Sequence, residues 1–197
     1  MKNSEEVTLD NLFPVNKYDD FFMWNFKKGL EKREIYINDE VNEDFFATVI
    51  RPFIQMEKES KDPIHIYINS PGGNIMDGMV FCNLIDNVTC PVLIETVGFA
   101  YSMAGYIAMA GANNPNVKRV CHKYSFGLIH AGNVGYSGDA RKAKQVQAFY
   151  DRIDALVKDY ILTHTKITEE QYTKNIDVEW YMTSDEMLEL GIVDEII

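Results

Sequence analysis

From residue 34 to residue 130 the chain alternates two hydrophobic rhythms. Runs that are β-branched, or that alternate apolar with polar residues, predict strands at 34-EIYIN-38, 64-IHIYIN-69, 91-PVLIETV-97, 117-VKRVC-121 and 125-SFGLIH-130. Between them lie stretches with helical spacing. In 43-EDFFATVIRPFIQMEKE-59, Phe46, Val49, Ile50, Phe53 and Ile54 fall on one side of a helix. The run 75-IMDGMVFCNLID-86 predicts a second helix, and the small and apolar residues from about 102 to 111 a third. Strands and helices alternating in this way predict an α/β fold with parallel strands.

Beyond residue 130 the rhythm changes. A glycine-rich loop, 132-GNVGYSG-138, precedes the longest helical pattern in the chain, residues 139–165, where Val146, Phe149, Ile153, Leu156 and Tyr160 recur at helical spacing. Such a helix is ~40 Å long, more than one small domain needs to cover its own core. Its stripe therefore extends past the subunit toward a partner. Thr183 and Glu186 have the spacing of a capping box, and the apolar ending 191-GIVDEII-197 predicts a last strand. Residues 1–20 are acidic and weakly patterned and read as an arm, so a single domain is expected over residues 21–197, opening on the aromatic run 21-FFMWNF-26.

Charge narrows the function. With 30 Asp and Glu against 19 Lys and Arg, the formal net charge is −11. Nucleic acid and anionic membranes both require a concentrated basic face, so neither is expected as a partner. The three cysteines, Cys82, Cys90 and Cys121, lack CxxC spacing, which speaks against a disulfide framework or a zinc site and for a reducing compartment. The first residues lack an apolar stretch of signal-peptide type, and the Gly/Ala-rich stretch near 97–112 is shorter than the ~18 apolar residues of a membrane span. A cytoplasmic protein with a peptide or small-molecule site is expected.

Three features at predicted strand ends could carry chemistry. Ser102, at a strand-to-helix junction, is either a nucleophile beside unpaired helix N–H groups or an N-cap; the surrounding sequence is not the GxSxG elbow of α/β-hydrolases. His130 ends an apolar strand and opens onto the glycine loop, where α/β sheets place their ligands, and is either a base or a strand-end imidazole bonded to backbone. His65, His122 and His164 have structural readings: a sheet face, a connection and a helix end. The third feature, 69-NSPGG-73, follows a strand and is either a plain turn or a backbone cradle for an oxyanion.

Together these motifs resemble those of the Clp protease proteolytic subunit family. The resemblance rests on IYINSPGG at 66–73, a serine 29 positions after Gly73 within G-x-A-x-S-M, a strand ending in histidine, Gly-Tyr-x-Gly with a long helix, and the closing E-x-G-I-V-D. It covers roughly residues 21–197. It implies a crotonase-like fold of stacked β-β-α units with a protruding handle helix. It also implies a homo-oligomer of seven-membered rings stacked in pairs, which cleaves unfolded polypeptides inside its chamber and is served by a AAA+ unfoldase. By position, Ser102 matches the nucleophile, His130 the general base, and the N–H groups of Gly73 and Met103 the oxyanion hole. Glu179 stands where the family has the triad aspartate, with Asp177 nearby. No metal or organic cofactor is implied.

Five positions depart from the family pattern. Tyr101 replaces a small residue, Ala131-Gly132 replaces Gln-Pro after the base, Val178 replaces an arginine of the ring-to-ring contact, and Glu179 replaces aspartate. These substitutions keep a catalytically impaired ring subunit in view. The shared fold and paired oxyanion amides likewise keep a crotonase-type acyl-CoA hydratase or isomerase in view.

Overall fold

A computed structural model of the protein describes residues 18–132, 135 and 138–197. In chain order, helix α1 (Tyr18–Lys32) leads into β1 (Glu34–Ile37), and a π-helical turn (Phe46–Ile50) runs into α2 (Arg51–Glu59). There follow β2 (Ile64–Ser70), α3 (Ile75–Asp86), β3 (Val92–Tyr101), α4 (Met103–Ala108), β4 (Val117–Cys121) and β5 (Phe126–Ile129). The chain closes with α5 (Ala140–His164), α6 (Glu169–Asn175), β6 (Trp180–Thr183), α7 (Ser184–Glu189) and β7 (Glu195–Ile196).

Strands β1, β2, β3, β4 and β7 lie side by side in that order, all parallel. Alternation sets which face is buried. Ile64, Ile66 and Ile68 of β2 are wholly buried, while His65 and Tyr67 point to the other face. The buried face packs on Phe53 and Met56 of α2, Phe81 and Ile85 of α3 and Ile107 of α4. Phe81 meets Phe45 and Phe53 edge-on at 5.7 and 5.2 Å, a favoured geometry for aromatic quadrupoles. The π-helical turn has a cause in sequence: Pro52 has no N–H to donate four residues back, and the backbone widens just before it.

Strand β3 is shared between two neighbours. Residues Val92–Thr96 pair with β4, and Phe99–Tyr101 pair with β5. A bulge separates the halves, since β3 advances from Thr96 to Ala100 while β2 advances only from Ile68 to Ser70. Gly98 permits it, because a side chain there would collide with the Asn69 amide, whose Oδ1 accepts the freed N–H of Phe99 at 3.2 Å. The strand thus turns its last residues toward β5, which pairs antiparallel with β6.

The strands expected at 34–38, 64–69, 117–121 and 125–130 and the helices at 75–86 and 139–165 are present within a residue or two. The strand expected at 91–97 runs on to Tyr101, the helix expected from 102 to 111 is shorter, and only Glu195–Ile196 of the closing run forms a strand. Helices α1 and α6 and strand β6 were not anticipated. Their segments are mostly exposed, so hydrophobic period gave little signal. The 1–20 arm lies outside the described residues up to residue 17, and α1 begins at Tyr18. Much of the 132–138 glycine loop is likewise outside them.

Of α5, only Val157, Tyr160 and Ile161 are buried. No residue from 139 to 156 is, and Phe149 and Leu156 of the predicted stripe are exposed. No described helix is long and apolar enough to cross a membrane.

Candidate active site

Sheet register brings the three strand ends together. Tyr101 of β3 pairs with Leu128 of β5, so Ser102 follows directly and donates its N–H to the Leu128 carbonyl at 2.9 Å. Ile129 of β5 pairs with Trp180 of β6, so His130 and Glu179, the next residues outward, face each other. The side chains complete a chain of hydrogen bonds. Ser102 Oγ lies 2.9 Å from His130 Nε2, and His130 Nδ1 lies 2.9 Å from Glu179 Oε1.

Ser102 occupies the residue before α4 but does not cap it. The caps of α3, α5, α6 and α7, namely Asn74, Asp139, Thr168 and Thr183, all have extended backbones and side chains that accept a helix N–H. Ser102 instead has φ +52° and ψ −122°, and its side chain accepts no helix N–H. That conformation costs a non-glycine residue roughly 1–3 kcal/mol. It turns Oγ away from the helix and toward the imidazole.

The acid is half open to water. The Glu179 side chain is 57% exposed against 22% for His130. Asp177 is exposed too, and none of the described hydrogen bonds joins it to His130. Glutamate reaches the imidazole here because β6 starts only at Trp180, leaving its backbone one step beyond the ladder.

The 69–73 loop is pinned on both sides. Buried Ser70 donates its hydroxyl to the Asp39 carbonyl at 2.6 Å and accepts the Gly72 N–H at 3.1 Å. Gly72 O accepts from Val41 N, and Val41 O from Asn74 N. Both glycines have positive φ, +88° and +143°. A side chain on Gly72 would meet Met103 N at 2.7 Å and Ser102 Cβ at 3.0 Å, and the Tyr101 carbonyl closer still. The loop therefore lies directly against the Ser102–Met103 backbone. The N–H groups of Gly73 and Met103 donate to no acceptor among the described residues. Each is therefore free to bond a ligand oxygen, and Met103 follows Ser102 directly.

Residues 21–197 match the model of the Clp protease family. The chain belongs to that family. It is similar to the ATP-dependent Clp protease proteolytic subunit of Borreliella afzelii (strain PKo), with 28% identity over 173 residues, which is 87% of this chain and 86% of that protein. The protein is accordingly a serine-type peptidase of the Clp family, and its α/β architecture is the crotonase-like fold of that family. The family match sets aside the acyl-CoA hydratase reading.

Two contacts at the Clp-type site were not anticipated from sequence. The Tyr106 hydroxyl reaches the His130 carbonyl at 3.3 Å, and the Ala131 N–H donates to the Ile176 carbonyl at 2.8 Å. No pattern in the sequence marks either, because each joins segments 24 or more residues apart. Tyr101 sets its ring against Phe99 and Tyr181 at 4.8 and 5.8 Å. The other histidines are structural, as expected. His65 and His122 each donate Nε2–H to one oxygen of the mostly buried Glu95 at 2.7 Å, and His164 bonds Asp86 at 3.1 Å.

Proposed function

We propose that Ser102, His130 and Glu179 are the catalytic triad of this peptidase, with the Gly73 and Met103 amides as its oxyanion hole. His130 Nε2 takes the Ser102 Oγ proton as Oγ bonds to the scissile carbonyl carbon. The carbonyl oxygen becomes an oxyanion held by the two N–H groups. The C–N bond then breaks, and His130 delivers its proton to the leaving amine. Water repeats the sequence on the acyl-enzyme and regenerates Ser102. Glu179 fixes the tautomer that presents a bare Nε2 to Ser102 and stabilises the imidazolium. The observation that carries this reading is the 2.9 Å Ser102–His130 contact made by a serine in a backbone conformation that no helix cap needs.

The protein acts as an endopeptidase on unfolded polypeptides, within a homo-oligomeric ring of seven subunits, stacked in pairs and fed by an ATP-driven AAA+ unfoldase in the cytoplasm. The relative's name, an ATP-dependent proteolytic subunit, supports the ATPase partner. The uncovered outer half of α5, with Phe149 and Leu156 exposed, supports self-association.

A fluorophosphonate probe tests the triad. Labelling at Ser102, abolished in Ser102→Ala together with hydrolysis of a fluorogenic peptide, is the expected result. An unlabelled wild-type chain, or unchanged hydrolysis by Ser102→Ala, would return the protein to the impaired-subunit reading or move the nucleophile elsewhere.

A further inference from the structure

One residue bonds to both the nucleophile's backbone and the base's backbone. Tyr106 stands one helical turn after Ser102 in α4. Its N–H donates to the Ser102 carbonyl at 3.3 Å, and its hydroxyl donates to the His130 carbonyl at 3.3 Å. The side chain is buried, with 4% of its surface exposed. We infer that Tyr106 is a positioning residue for the peptidase reaction, holding the His130 main chain at the distance from Ser102 that the Oγ–Nε2 contact requires. This rests on the triad reading given above.

The need for such a tie follows from where His130 sits. It is the first residue past β5, so the ladder to β6 has ended at Ile129–Trp180. On its far side the loop is held at Ala131, whose N–H binds the Ile176 carbonyl, and then passes into glycine. Tyr106 supplies the only described side-chain hydrogen bond to the His130 backbone. A shift of the imidazole by a fraction of an ångström lengthens a 2.9 Å contact that must carry a proton.

The hydroxyl is suited to the part. Burial pushes its pKa up, and neighbouring Tyr172 and Asp154 push it the same way, so it remains a donor over the whole working pH range. The 3.3 Å separation is long for an O–H···O bond, which makes the tie a modest one. Its removal should therefore cost a few-fold in rate rather than abolish activity.

Tyr106→Phe removes the oxygen and keeps the ring. The expected result is a kcat roughly three- to tenfold lower with KM unchanged, and Ser102 labelling by a fluorophosphonate slowed in the same ratio. Tyr160→Phe removes another buried hydroxyl, one without a hydrogen-bond partner among the described residues, and should leave kcat as it is. Wild-type kcat and labelling rate in Tyr106→Phe would overturn the inference while leaving the triad intact, provided Ser102→Ala is inactive. An equal loss in Tyr160→Phe would overturn it too, because the effect would then belong to core stability. If Tyr106→Phe folds poorly, 3-fluorotyrosine at position 106, a stronger donor of nearly the same size, should match or exceed the natural residue in kcat. A several-fold loss there would sink the idea.

Discussion

The Glu179 carboxylate offers a quantitative test of the site, because its exposure predicts how much it contributes. Glu179→Gln keeps the shape and leaves an amide oxygen that can still accept the His130 Nδ1–H, but it removes the negative charge that stabilises the imidazolium. A hydrogen bond to a charged group contributes about 1.5–3 kcal/mol. With the side chain 57% exposed, water already supplies part of that stabilisation, which favours the lower end. At tenfold per 1.36 kcal/mol, kcat/KM should fall roughly ten- to a hundredfold. Replacing the buried triad aspartate of a chymotrypsin-type protease by asparagine costs about ten thousandfold, so the effect here should be visibly smaller. The assay is the initial rate on a fluorogenic peptide, with thermal melts confirming equal folding, and with Asp177→Asn as the control. A loss below twofold, or a larger loss in Asp177→Asn, would remove Glu179 from the triad. A ten-thousandfold loss would refute the argument from exposure.

Three further outcomes follow. Gly72→Ala places a methyl within 2.7 Å of Met103 N, and closer still to the Tyr101 carbonyl, at φ +88°, so the backbone beside Ser102 must shift: kcat/KM should drop roughly a hundredfold or more, as for loss of an oxyanion donor, and the melting temperature should fall as well; equal activity would mean that the oxyanion lies elsewhere. Leu156→Glu on the exposed side of α5 should shift native mass spectra toward smaller assemblies at an unchanged helix content; an unaltered distribution would exclude that stripe as a contact. Partial burial would raise the Asp194 pKa, but the hydrogen bonds and charge of Arg119 outweigh it and hold the carboxyl below its ordinary value. A depressed pKa contributes stability that is present above the unfolded value of about 3.9 and is lost as pH falls through the folded one. Thermal melts should thus decline below about pH 4, and Asp194→Asn should flatten part of that decline; parallel curves for the two proteins would contradict it.

The sequence was most legible where burial imposes a period. Ile64, Ile66 and Ile68 alternate because one face of β2 is sealed, and this located the strand end from which the 70–73 loop departs. Ser102 and His130 were found by the same logic, since each follows such a run. Whether Ser102 was a nucleophile or a cap was not legible, because the answer is a backbone angle, and both readings use the same residue type. Glu179 followed from alignment to the family's ending and not from local pattern, as β6 is short and three of its four residues are not fully buried. The Glu95 carboxylate shared by His65 and His122 has no local signal, because its partners lie 30 and 27 positions away, one on β2 and the other in the turn after β4.

The forked strand β3 has a kinetic consequence. Its first half, Val92–Thr96, lies between β2 and β4, so the amides there are shielded from solvent by a neighbour on either side. Such amides exchange only when much of the molecule opens, and in native-state hydrogen exchange Ile94 to Thr96 should therefore rank among the slowest positions of the chain, with Val97 to Phe99 at the bulge exchanging sooner. The sequence then passes, within one peptide bond of Tyr101, to Ser102, the proposed nucleophile. Ser102 thus stands at the end of the longest strand of the sheet, and His130 at the end of a short one. The Ser102 amide, held by the Leu128 carbonyl, should accordingly exchange more slowly than the His130 amide, which lies past the end of its ladder.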